Sequence, residues 1–230
     1  MDSPNRRALR MFLHNRPAKT GLTVVALIVT LAAFAGILSP YSPEAQSPLE
    51  ITLGPSLSHW FGTDSLGRDL FTRILFGSRV SLAVALVTAV IGTILGALYG
   101  GLAGMVGGKI DAALMRGLDF FYTLPTLLLI IFINAVLGQG LFGILVALSL
   151  EGVMTIARLV RGQVLQLKGQ EFVVAAEALG ASRTSILVKH LIPNIFAPLV
   201  VTLTYLIPAN IMYEAFLSFV GLGIQPPYSS

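Results

Sequence analysis

Cysteine is absent from this 230-residue sequence, which excludes a disulfide framework and any thiolate metal site. Histidine is nearly absent too. His14, His59 and His190 stand far apart, without the short pairing that metal sites use. No phosphate-binding loop is present: the nearest approach, "AGMVGGKI", has Ala103 for the first glycine and Ile110 where a magnesium-binding hydroxyl belongs. No serine–histidine–acid arrangement occurs either, so the residues describe a chain that is not an enzyme and binds no cofactor. Charge is the scarcest commodity. Only 11% of residues are charged, against about 25% in ordinary soluble domains.

What remains is apolar. Hydrophobic residues make up 55% of the chain, and mean hydropathy is +0.82. A soluble fold of this size cannot bury so much apolar surface. The sequence therefore describes an integral membrane protein, and its continuous apolar runs point to helices rather than barrel strands. Five runs approach the roughly 20 helical residues needed to cross a bilayer: Leu22–Leu38, Val80–Ala103, Leu118–Leu137, Leu141–Val160 and Ile195–Tyr213. The first lacks a convincing cleavage site at "LSPYSPEA" and is read as a retained span. The expected class is an all-α polytopic helical bundle.

The few basic residues report sidedness. Arg6, Arg7, Arg10, Arg16 and Lys19 precede the first span, Lys109 and Arg116 follow the second, and Arg158, Arg161, Lys168, Arg183 and Lys189 follow the fourth. Alternating spans put all of them on one face. The other face holds Arg68, Arg73 and Arg79, offset by Glu44, Glu50, Asp64 and Asp69. By the positive-inside rule the amino terminus is cytoplasmic. The net charge of +4 thus reads as orientation, with no nucleic acid partner implied. The organisation expected is a basic arm (1–21), a first span (22–38), an external loop with an amphipathic helix (39–79) and a core (80–230).

Four features invite function. Gly92, Gly96 and Gly100 recur on one helix face, where small residues allow close helix approach. Glu151 falls near the middle of the fourth span, where an ionisable group costs a few kcal/mol. It reads as pathway lining, as a partner for Asn134, or as a protonated acid, with Asn134, Gln139, Asn210 and Glu214 as weaker polar candidates. In "GTDSLGRDLFTRI", Thr63 or Asp64 is a cap, Asp69 faces Arg73 one turn on, and Leu66, Leu70, Ile74 and Leu75 form an apolar stripe. That helix anchors at the outer surface or meets an external partner, with Arg68 suited to either. Finally, "AAEALGASRTSILVKHLIPN" (175–194) carries a small-residue helix over Glu171–Leu179, a break at Gly180 and a capping Ser182 or Thr184. A second helix follows, and Pro193 closes the unit before the last span. Two short helices at an angle suit a docking knob; an amphipathic helix lying on lipid is the alternative.

These residues resemble the EAA loop of ABC-importer permeases, in which a glycine is followed thirteen positions later by a proline, as Gly180 and Pro193 are here. "FGTDSLGRDLFTRILFGSRVSL", "GGKIDAALMRGLDFFYTLP", "ARLVRGQVL" and "EAFLSFVGLGIQPP" are similar to the dipeptide/oligopeptide permease subfamily. The resemblance implies two ABC ATPase subunits that hold ATP and magnesium, a second homologous permease and an extracytoplasmic substrate-binding protein. It implies residence in a prokaryotic plasma (inner) membrane and uptake of di- or oligopeptides, with nickel or another small solute as the alternative. The coupling loop (161–194) would act through Ala175, Ala176, Glu177, Gly180, Ala181, Ser182, Lys189, His190 and Pro193; Asp64, Arg68 and Asp69 would form external surface. Two departures stand out. Val174 occupies the position of the motif glutamate, and the family's sixth span lies beyond the "GLGIQPP" segment, so the sequence reads as a truncated permease. A secondary transporter using Glu151 and a nonconducting scaffold are the rival classes; no internal repeat supports the former.

Overall fold

The computed structural model describes residues 11–138 and 140–224. Arg6, Arg7, Arg10, Gln139 and the end of "GLGIQPP" lie outside the described residues. The chain divides after Val80 into two compact units. Among the described residues, four helices are long and apolar enough to cross a membrane, or five if one sharply bent pair is a single span.

After a helical stretch at 11–14, the first unit continues with α1 (Arg16–Ala33) and a single turn, α2 (Ala35–Leu38). Asn15 caps α1 by accepting the Ala18 N–H, and Pro17 sits in the first turn, where its missing donor costs nothing. Thr20, Thr23 and Thr30 each donate their hydroxyl to a carbonyl four residues back. Their polar atoms are thereby satisfied without water. Only Ala32 of α1 is buried, and apolar side chains all round the helix suit a lipid surrounding.

A long helix, α3 (Leu70–Val106), begins in the first unit and continues into the second. Its 37 residues measure about 55 Å, against about 30 Å of hydrocarbon. Here the structure corrects the sequence reading. The amphipathic helix expected as a separate element of the 39–79 loop is the first part of α3, because nothing between Leu70 and Val80 breaks a helix. Leu66 lies outside it, in the preceding turn.

In the second unit, α4 (Gly108–Tyr122) and α5 (Thr126–Leu137) meet at 91°. The continuous span expected at Leu118–Leu137 is therefore broken, and neither half is long enough to cross alone. Pro125 is the cause: it lacks an N–H and forces Leu124 away from helical geometry. The Thr123 hydroxyl satisfies the Phe120 carbonyl at the break. Then comes α6 (Leu141–Leu167), seven residues longer than the apolar run suggested, and the short α7 (Glu171–Ala178).

The last span differs most from expectation. A short α8 (Arg183–Ile186) passes through a π-helical turn (Leu187–Leu191) into α9 (Ile192–Phe219), giving one helical run from Arg183 to Phe219. Pro193 does not close the knob. It occupies the first turn of α9, where proline is tolerated, and the side-chain amide of Asn194 donates to the His190 carbonyl at 2.6 Å.

The glycine stripe does what close packing requires. A Cβ at Gly92 would sit 2.9 Å from the Gly152 Cα, and one at Gly100 would sit 2.1 Å from the Ala157 carbonyl oxygen. Thus α3 and α6 touch backbone to backbone, a contact only glycine permits.

Candidate coupling loop and membrane-embedded polar site

The loop between α6 and α9 is built as a knob with a dry interior. Val173 and Ala176 of α7 and Ile186, Leu187 and Leu191 pack against Val160 and Val164 at the end of α6. The helix α7 ends in a Schellman arrangement: the Gly180 N–H donates to the Glu177 carbonyl at 2.9 Å and the Ala181 N–H to the Ala176 carbonyl at 3.0 Å. Gly180 has φ +82°, in the left-handed region the motif requires. Ser182 then caps α8, accepting the Ser185 N–H at 3.3 Å.

The outward surface is apolar as well. Ala175, Glu177, Gly180, Ser182, Lys189 and Pro193 are exposed, Ala181 and His190 are half-buried, and Ala176 faces the interior. Phe172, Val174 and Val188 are exposed too, and Leu179 keeps 88% of its surface. An exposed leucine on a rigid turn beside small residues is a shape that can enter a groove.

Basic residues read as sidedness markers have specific partners on α3 and α4. Arg161 binds Asp111 through Nε (2.5 Å) and Nη2 (2.7 Å). Arg158 pairs with Asp119 at 2.5 Å and lies 3.6 Å above the Tyr122 ring. Lys168 Nζ donates to the Gly104 carbonyl at 3.3 Å. Sequence reasoning missed Asp111, Asp119 and Tyr122. The signal was there: two acids eight residues apart on one helix, two arginines three apart on another.

Three of the membrane-embedded candidates are fully enclosed. Asn210 donates to the Thr88 hydroxyl at 2.8 Å, tying α9 to α3. Glu214 accepts from Ser81 at 2.7 Å and Ser218 at 3.0 Å, so each carboxylate oxygen has a donor. Asn134 donates to the Leu222 carbonyl at 2.7 Å rather than meeting Glu151. Glu151 is only partly buried, and the Thr155 hydroxyl donates to its Oε1 at 3.2 Å.

The external candidates form a polar cluster in the first unit. Asp64 Oδ1 accepts the N–H groups of Leu66 and Arg68, closing a turn rather than capping a helix. Its Oδ2 binds Arg68 at 2.8 Å and Arg73 at 2.5 Å. Burial pushes the Asp64 carboxyl upward, but the two amides and two guanidiniums outweigh it and hold it down to about 2. The expected Asp69–Arg73 pair is therefore replaced. Asp69 instead caps α3, accepting the Thr72 N–H at 2.7 Å, and meets His59 Nδ1 at 3.0 Å. Burial opposes ionisation of Asp69 too, and the Thr72 amide and His59 ring overcome it, lowering its carboxyl. His59 is itself buried, stacked on Tyr41, with Glu50 3.7 Å from Nε2.

Comparison with known proteins matches this arrangement to one family. Residues 92–230 fit the model of binding-protein-dependent transport system inner membrane components, and residues 3–55 fit the N-terminal transmembrane domain of oligopeptide transport permease C. Similar proteins include the oligopeptide transport system permease of Bacillus subtilis, 41% identical over 97% of this chain and 73% of the relative. The dipeptide permease of the same organism is 45% identical over 97% of this chain and 70% of the relative. A glutathione transport system permease of Shigella flexneri is 43% identical over 95% and 72%. An inward-facing structure of the MetNI methionine ABC transporter shares the fold, with a TM-score of 0.58 over 66% of this chain and 76% of that one at 24% identity. The chain belongs to the binding-protein-dependent transport system inner membrane components, a family of multi-pass membrane permeases rather than catalytic subunits.

Proposed function

We propose that this chain is one of two permeases lining the pathway of an ATP-driven importer of di- and oligopeptides. The carrying observation is the knob at 171–192: dry inside, apolar and exposed outside, and joined without a break to the last span. Two ATPase subunits, holding ATP and magnesium, grip that knob from the cytoplasm. Closure of the ATPase pair displaces it, and the spans rock from inward to outward access. An external binding protein delivers the solute, and a second homologous permease completes the pathway.

The peptide class follows from the relatives, whose names specify oligopeptide, dipeptide and glutathione transport. Orientation follows from charge, with the amino terminus in the cytoplasm of a prokaryotic cell. Two measurements test the whole. The chain co-purifies in detergent with ATPase subunits, and uptake of labelled dipeptide is competed by peptides and not by nickel. Competition by nickel alone reassigns the substrate; absence of ATPase partners removes the coupling role.

A further inference from the structure

The two embedded glutamates are treated differently by the fold. Glu214 is fully buried and has a serine hydroxyl on each oxygen. Glu151 has Thr155 on Oε1, while Oε2 is sealed from solvent and has no hydrogen-bond partner among the described residues. Leaving a buried carboxylate oxygen unpaired is costly. Like the enclosed Asn134 and Asn210 amide oxygens, the partly exposed Glu151 side chain is left one partner short among the described residues.

The surroundings of Glu151 indicate what that partner is. Seven residues along α6 is nearly two turns, so Arg158 projects from the same face. Its side chain keeps 44% of its surface, although it pairs with Asp119 and rests on Tyr122. A guanidinium has five donors, more than that one contact uses. One further turn on, the space beside Gly162 is open. This face of α6 thus carries a carboxylate, a hydroxyl, a guanidinium and an opening, in that order. The rise from Glu151 to Arg158 is about 10 Å, and an extended chain of three residues spans about 10 Å. A bare divalent cation fits poorly, since it needs several oxygen ligands. Among the described residues no group of three His, Cys, Asp or Glu side chains could supply them.

We propose that this face of α6 is a recognition track for short zwitterionic peptides in transit, Glu151 receiving the α-ammonium group and Arg158 the α-carboxylate. The assignment rests on the peptide-import reading and adds residues to it. The test uses the complete importer in proteoliposomes, with its ATPases, partner permease and binding protein. Uptake of trialanine, N-acetyl-trialanine and trialanine amide is compared, each corrected for its measured affinity for the binding protein. Glu151→Gln is expected to slow trialanine and its amide about tenfold, the scale of one lost charged hydrogen bond, while N-acetyl-trialanine is spared. Glu151→Asp retains most of the wild-type rate. Arg158→Gln slows trialanine and the N-acetyl form and spares the amide. Equal slowing of all three peptides by Glu151→Gln, or no slowing of any, overturns the track and leaves peptide import standing. A wild-type complex that accumulates none of the three, yet hydrolyses ATP, overturns both.

Discussion

The knob at 171–192 and the polar segment at 50–73 are each about twenty residues long, and they are held by opposite means. In the knob, five apolar side chains enter a common core with α6, and polar groups serve only to cap helices. In the polar segment the buried polar side chains are His59, Thr63, Asp69 and Thr72, and the fastening is a web of ion pairs and turn amides. A dry element resists salt and acid and fails when volume is removed. A charged one tolerates loss of volume and fails when its charges are neutralised.

The largest expected effect is on the dry side. Leu191 is fully buried, and Leu191→Ala should cost about 2–5 kcal/mol as lost transfer energy plus a cavity. ATPase association, measured by quantitative pull-down, is expected to fall steeply while membrane insertion stays normal. Undiminished pull-down would show that the knob's core does not hold its outer surface.

An intermediate effect is expected at Asp64. A carboxyl depressed to about 2 contributes stability that is complete above its ordinary value near 4 and is lost as pH falls toward 2. Because the chain lacks cysteine, a single Ser56→Cys provides a clean reporter in sealed right-side-out vesicles. Protease cleavage near that site should stay slow at pH 5 and accelerate between about pH 4 and pH 2. Asp64→Asn should accelerate it at neutral pH, and the knob should respond to neither change. Labelling that requires permeabilised vesicles would invert the orientation.

The smallest energetic change sharpens the contrast. Gly180→Val strains a left-handed residue by about 1 kcal/mol or more. No atom lies within 4 Å of the added Cβ, so there is no clash to unfold the element. The outcome expected is normal insertion and stability with loss of substrate-stimulated ATP hydrolysis in the reconstituted complex. Full coupling in this variant would remove the loop as the transmission element.

Legibility in the sequence followed the same division. Period and composition made the spans visible, and Gly180 and Ser182 announced the knob's turn, because caps and left-handed glycines are decided within a few residues. The 91° break at Thr123–Pro125 was hidden inside an apolar run that satisfied the length criterion for a span. Pro193 misled in the opposite sense, since proline stops a helix from its interior but begins one in its first turn. The partners of Arg73, Arg158 and Arg161 were out of reach of local spacing. Arg73 binds Asp64 across a turn, and Arg161 finds Asp111 fifty residues away. That Glu214 alone of four embedded polar residues has, among the described residues, a donor on every oxygen is decided in part by Ser81 on another helix, and no pattern along one helix records it.

The uninterrupted run from Arg183 to Phe219 makes the knob and the last span a single crankshaft about 55 Å long. Its compliance is concentrated where helical hydrogen bonding is altered, at the π turn and at Pro198 and Pro208. Sideways displacement at Ser182 is therefore taken up as bending at these collars instead of spreading along the rod. Beyond Pro208, Glu214 is clamped to Ser81 of α3, so the far end swings together with a second span. A displacement of the knob therefore reaches the opposite end as a tilt of two helices at once.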